Sequence, residues 1–104
     1  MASRENGAHY SATVGTTAEQ TAFTMYRTSY GQRGGVVFCY ASAAGTLKTY
    51  WVTPDGAERL LDTTTVAATT TTVVDFDYSC PQFKVTWTSD SGSSLTVEAE
   101  GVLY

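Results

Sequence analysis

Few side chains in this sequence could carry chemistry, and their placement argues against a catalytic centre. The candidates are His9, the only histidine; Cys39 and Cys80, the only cysteines; and two close carboxylate pairs, Asp75/Asp77 and Glu98/Glu100. A thiol nucleophile needs a histidine held beside it on a rigid scaffold, whereas His9 sits in a stretch of small and polar residues. It reads as a solvated or packing residue. Zinc sites take four ligands, and one histidine with two cysteines supplies no such set. Asp75 and Asp77 could offer oxygens to calcium, but the Gly and terminal Glu of a calcium loop are missing. That leaves solvated carboxylates beside Phe76 and Tyr78. Glu98 and Glu100 could serve as the acid and base of glycoside hydrolysis, yet two such groups about 7 Å apart on one strand face ordinarily just solvate it. No phosphate-cradling glycine loop precedes a helix. The chain reads as a non-enzyme with no metal and no cofactor.

The elements that must position these residues are strands. Residues 34–53 (GGVVFCYASAAGTLKTYWVT) read as strand, small-residue turn, strand. The run 36–40 is continuously apolar, as in a strand covered on both faces, and 41–45 is small and ends in Gly, suiting a tight hairpin connection. Residues 46–53 alternate, with Lys48 marking the wetter face, so Leu47 and Trp51 are the expected core residues. A buried Trp covers about 150–250 Å² and can anchor a small core. Upstream, residues 23–30 (FTMYRTSY) form a first strand with Phe23 and Met25 on one side and Thr24, Tyr26, Thr28 and Tyr30 on the other. Downstream, Pro54-Asp55-Gly56 is a turn, and residues 58–62 return with Leu60 or Leu61 inward. The threonine-rich residues 63–72 suit a strand or an extended crossover between sheets. Residues 82–88 alternate with Phe83, Val85 and Trp87 inward. Residues 89–94 are a polar hairpin loop, and the last strand turns Leu95, Val97 and Ala99 inward, with Val102 and Tyr104 extending that face. Six or seven short strands without a helix signal predict an all-β, antiparallel β-sandwich, immunoglobulin-like or jelly-roll.

With 104 residues the chain is one folded unit, and its net charge of −4 and pI of about 4.6 argue against a nucleic-acid surface. The charge is uneven. Residues 1–33 carry Arg4, Arg27 and Arg33 against Glu5 and Glu19, while 34–104 carry Lys48, Arg59 and Lys84 against eight carboxylates. Residues 1–10 are polar and no apolar run approaches the ~18 residues of a membrane span, so synthesis in a reducing cytosol is expected. In that setting Cys39 and Cys80 are expected as small buried thiols; paired, they would close a loop of about 42 residues worth roughly 4 kcal/mol. Residues 1–20 lack large apolar side chains and read as an N-terminal arm preceding a sandwich domain at 21–104. Extended, the arm would reach about 66 Å, enough to lie along its own body or across a neighbouring subunit.

Four segments carry a resemblance that extends over residues 34–104. They are TYWVTPDGAERL (49–60), TTTVAATTTTVVDFD (63–77), CPQFKVTWT (80–88) and SDSGSSLTVEAEGVLY (89–104). Together they resemble small β-rich structural proteins of tailed bacteriophages, above all capsid decoration (cement) or head-fibre proteins. The resemblance implies a homotrimeric virion protein, made in the host cytoplasm and placed on the capsid exterior. It would clamp the major capsid protein or other virion subunits and stabilise the shell, without binding nucleic acid or membrane. A clamp of this kind gains avidity from several weak contacts at once, with Tyr10, Phe23, Met25, Tyr26 and Tyr30 as interface residues. Two other readings share the fold: a carbohydrate-binding or adhesin module using Tyr26, Tyr30 or Tyr50 as sugar platforms, and a tail or neck structural protein. Trp51 after Cys39, and Tyr78 two residues before Cys80, also mimic immunoglobulin domains and their tyrosine corner. That mimicry holds only if the cysteines pair, so it leaves the disulfide open.

Overall fold

Alternation of apolar and polar residues with period two runs through most of the chain, and among the described residues it is met by eight strands. The computed structural model describes residues 7–27, 31–77 and 80–104. The strands are β1 (Gly7–Val14), β2 (Gln20–Tyr26), β3 (Gly35–Ala41), β4 (Gly45–Val52), β5 (Glu58–Val66), β6 (Thr72–Phe76), β7 (Gln82–Ser89) and β8 (Leu95–Leu103). They form two antiparallel four-stranded sheets, sheet A in the order β1-β8-β3-β6 and sheet B in the order β2-β7-β4-β5. This is the strand order of an eight-stranded jelly roll, the second of the two expected sandwich forms. Among the described residues no helix is long and apolar enough to cross a membrane.

The inward-facing set makes one core. Phe23 and Met25 of β2, Val37 and Cys39 of β3, Leu47 of β4, Phe83, Val85 and Trp87 of β7, and Leu95, Val97 and Ala99 of β8 are all buried. Phe76, from the strand that alternates aspartates with aromatics, packs on Phe83 with ring centroids 5.2 Å apart and planes tilted by 49°, a favourable aromatic arrangement. Trp87 is fully buried, and its indole Nε1 donates to Ser89 Oγ at 2.8 Å, so the one polar atom of that side chain is satisfied. Its ring lies against Gly45, where an added Cβ would come within 2.4 Å of two indole carbons. Gly45 is therefore required by the tryptophan as much as by the turn before it.

Only one of the three expected hairpins forms. β4 and β5 pair directly across the Pro54-Asp55-Gly56 turn, which is closed by Gly56 N–H donating to Thr53 O at 2.9 Å with Gly56 at φ 87°. The strands before and after residues 42–44 belong to different sheets, as do those flanking residues 90–94. Both loops arch over the core; a short polar loop is equally suited to an arch and to a hairpin. Ser42 anchors the first arch by donating its N–H to Thr96 O at 2.9 Å and accepting from Thr96 N–H at 3.0 Å through its side-chain oxygen. The threonine-rich stretch ends β5, crosses between sheets and begins β6, as expected.

Several side chains face elsewhere than the sequence reading placed them. Trp51, expected in the core, is 38% exposed: it keeps the inward phase of Leu47 but is the last residue but one of β4, beside the edge strand β5. Phe38 and Tyr40 lie on the open face of sheet A, 42% and 39% exposed, so β3 is covered on one side only. Leu60 and Leu61 are both exposed, beside a register shift between Thr49 and Tyr50. In β8 the inward series continues through Gly101 and Leu103, which turns Val102 and Tyr104 outward. Of residues 1–20, Gly7–Val14 is β1, its whole length paired with β8 from Gly7↔Val102 to Val14↔Leu95, so that part of the expected arm is an edge strand of sheet A. Small alternating residues such as Ala8 and Ala12 suffice there because the neighbouring strand supplies the hydrogen bonds.

Replacing Gly45 with Ala should cost at least about 1–3 kcal/mol through overpacking against Trp87. Trp87→Ala should cost about 3–5 kcal/mol and Trp51→Ala markedly less. Urea denaturation midpoints of the three variants check the ranking, and equal losses for the two tryptophans would contradict it.

Candidate functional site

Sheet B carries a polar clasp on its outer face. Glu19, in the β1–β2 connection, accepts a hydrogen bond from the Tyr50 hydroxyl at 2.5 Å and another from Thr86 Oγ1 at 2.6 Å, both on Oε2. Thr86 is buried although its position in β7 faces away from the core. These bonds, Thr86 first and then Tyr50, hold the Glu19 carboxyl below its ordinary pKa. Burial, followed by the bond to Glu19, pushes the Tyr50 phenol up to about 12. In the next row Lys84 Nζ meets Glu58 Oε2 at 2.8 Å. The chemistry is that of a fastener: a carboxylate that takes two hydroxyl donors on one oxygen pins a connection onto the sheet.

The remaining candidates from the sequence do not converge. His9 stands on the outer face of sheet A, in register with Glu100 of β8. Cys39 points into the core, and burial, aided by the Glu98 charge, pushes its thiol up to about 11. Cys80 is half-buried, donates to Gln82 O at 3.4 Å and is likewise raised by burial. Both cysteines are free thiols. Among the described residues no three His, Cys, Asp or Glu side chains come together as metal ligands.

The expected interface residues separate as well. Phe23 and Met25 are core residues and offer no surface to a partner in this fold; Tyr10 is half-buried against the core; Tyr26 is exposed. Tyr30 and Tyr78 lie outside the described residues. Tyr50, considered as a sugar platform, is engaged with Glu19, and β7 with Lys84 lies between it and β2, which carries Tyr26.

Two surfaces that sequence reasoning missed are built by the register. At one end of the sandwich, Tyr26 at the close of β2, Trp51 near the close of β4, Leu60 and Leu61 near the opening of β5, and Tyr104 are all exposed. The signal was the side-by-side Leu60-Leu61, which no period-two strand can bury together. On the outer face of sheet A, a shallow depression of about 230 Å³ is lined by His9, Phe38, Tyr40, Thr71, Glu98 and Glu100. Phe38 lies between Val73 and Glu100, and Tyr40 lies beside Glu98.

No family model matches the chain, and no curated protein matches it. Among solved structures, the PBSX exported protein XepA superposes with a TM-score of 0.77 at 14% identity, over 99% of this chain and 39% of that one. The Yersinia pseudotuberculosis-derived mitogen superposes at 0.65 with 11% identity, over 95% of this chain and 86% of its own. PirA superposes at 0.65 with 12% identity, over 92% and 93%. The likeness is one of fold. This chain spans well under half the length of XepA, so it corresponds in fold to a part of that protein.

Two measurements check the groups described here. A carboxyl group whose pKa is lowered on folding stabilises the fold above its unfolded value, near 4.5 for Glu19, and that stability is lost as pH falls through the folded value. A phenol raised on folding stabilises below 10, and the contribution is lost as pH rises toward about 12. Glu19→Gln should therefore flatten the acid limb of a stability–pH profile, and Tyr50→Phe the alkaline limb. Separately, a disulfide-exchange reagent at neutral pH should modify Cys80 well before Cys39 in the folded protein, with both reacting after unfolding without reductant.

Proposed function

We propose that this chain is a non-enzymatic structural protein of a virion, a capsid decoration or cement protein that binds neighbouring capsid subunits from outside and stabilises the shell. The observation that carries this reading is the exposure of five large apolar side chains, Tyr26, Trp51, Leu60, Leu61 and Tyr104, at strand ends on one end of the sandwich. Large apolar side chains left in solvent gain from being covered by a partner, each by about 1.5–3 kcal/mol when fully buried. The charges flanking the leucines, Glu58, Arg59 and Asp62, discourage indiscriminate edge pairing of β5 while leaving the end free to dock. The likeness in fold to a PBSX exported protein supports a phage setting. In this reading the chain acts as a homotrimer with the apolar end directed at the shell, the acidic remainder keeping the particle soluble.

The test is co-sedimentation with capsid shells lacking this protein, together with its sedimentation equilibrium. The intact protein should pellet with shells and sediment as a trimer, and Leu60→Ser with Leu61→Ser should reduce pelleting at least about tenfold. A monomer that stays in the supernatant, or a double variant that pellets like the parent, would overturn the proposal.

A further inference from the structure

The two sheets differ in charge in a way that their shared fold does not require. The strands of sheet A, β1, β3, β6 and β8, contain no Lys or Arg; their ionisable acids are Asp75, Glu98 and Glu100. Every strand cation lies in sheet B, as Lys48, Arg59 and Lys84. On the outer face of sheet A the exposed rings of Phe38 and Tyr40 run down β3. Glu100 and Glu98 stand opposite them on β8, and Asp75 faces the same strand from β6. His9 closes the far side of the depression from β1.

We infer that this face is a docking site for an extended Arg- or Lys-bearing segment of a partner protein. Three physical features select that occupant. Carboxylates accept charge-assisted hydrogen bonds from guanidinium or ammonium groups, and aromatic faces within about 6 Å attract the same cations. Same-face residues of a strand repeat at roughly 6.6–7 Å, so the Glu98/Glu100 and Phe38/Tyr40 steps match alternate side chains of an extended peptide. With no Lys or Arg in the strands of this sheet, a basic segment meets no strand cation beside Glu98 and the rings, and complementary charge raises its association rate as well as its affinity. A sugar is the other class of ligand that stacks on aromatic rings. A neutral sugar gains nothing from the charge of Glu98 and Glu100, whereas a cation gains from the carboxylates and the rings together. The inference stands on sheet A alone and does not depend on the virion assignment, which rests on the opposite features of the sandwich end.

The experiment titrates the ¹⁵N-labelled full-length protein with an octapeptide of alternating Arg and Ser, at about 50 mM salt where screening is modest. Amide shifts should be confined to β3, β8 and their neighbours in sheet A. Glu98→Gln combined with Glu100→Gln should weaken binding at least about tenfold, and so should about 300 mM salt. Phe38→Ala should weaken it too, whereas Glu58→Gln on sheet B should leave it unchanged. Glu98→Gln alone alters one exposed carboxylate isosterically and keeps the test decisive if the double variant folds poorly. Absence of binding, shifts on sheet B, or indifference to the Glu98 change would overturn the inference. So would a neutral oligosaccharide shifting the same amides independently of Glu98, which would make the face a glycan site. The peptide titration and the shell co-sedimentation use different surfaces, so either can fail without the other.

Discussion

The contact between Trp87 and Gly45 is the constraint from which the rest of the molecule follows. Trp87 fills the middle of the sandwich from β7, and the neighbouring strand must come close without a side chain at the point of contact. Gly45 is paired with Ser89 on one side and Val66 on the other, so its missing Cβ sets the alignment of three strands at once. A one-residue slip would exchange the inner and outer faces of β4. It would drive Thr46 and Lys48 into the core in place of Leu47. From the same alignment, Tyr50 falls beside Lys84 and within reach of Glu19, and Trp51 falls at the rim beside Phe83. The buried tryptophan thus places both the polar clasp and the apolar end.

The sheets then diverge in what they show to solvent. Sheet B holds part of its charge in pairs: Glu19 under two hydroxyls, Lys84 with Glu58. Such exposed pairs contribute little to stability; their effect is to make that face polar and self-contained. Sheet A shows aromatic rings and carboxylates with no strand cation among them. A face of that kind is easily wetted and discourages association with other acidic surfaces, yet it retains ring area that a complementary partner can cover. Repulsion of like faces and attraction of a basic segment are two consequences of one distribution of charge.

The edges follow the same division. β1, made largely of Ala, Ser, Thr and Gly, closes one side of sheet A by pairing its full length with β8; its order comes from the ladder together with the modest burial of Ala8, Tyr10, Ala12 and Val14. This is why residues 7–14 looked like part of an arm. Hydrophobicity measures what a segment can bury, while an edge strand can be held by backbone hydrogen bonds that any residue except proline supplies.

The sequence by itself determined the strands and, within most of them, which residues face inward. Phe83-Val85-Trp87, Leu95-Val97-Ala99 and Phe23-Met25 were all legible because a strand alternates its side chains with period two, and burial imposes that period on composition. The Pro54-Asp55-Gly56 turn was legible because it needs particular backbone angles. Only the tertiary structure decided which sheet each strand joins, since alternation specifies a face and is silent about neighbours, and a short polar loop serves an arch as well as a hairpin. It decided also that the inward phase of β4 leaves Trp51 exposed at the strand's end, and which side of the apolar run 36–40 stays uncovered, which exposes Phe38 and Tyr40. Both candidate surfaces belong to that second class, because an exposed ring and a buried one are spelled alike until a second sheet is laid over one of them.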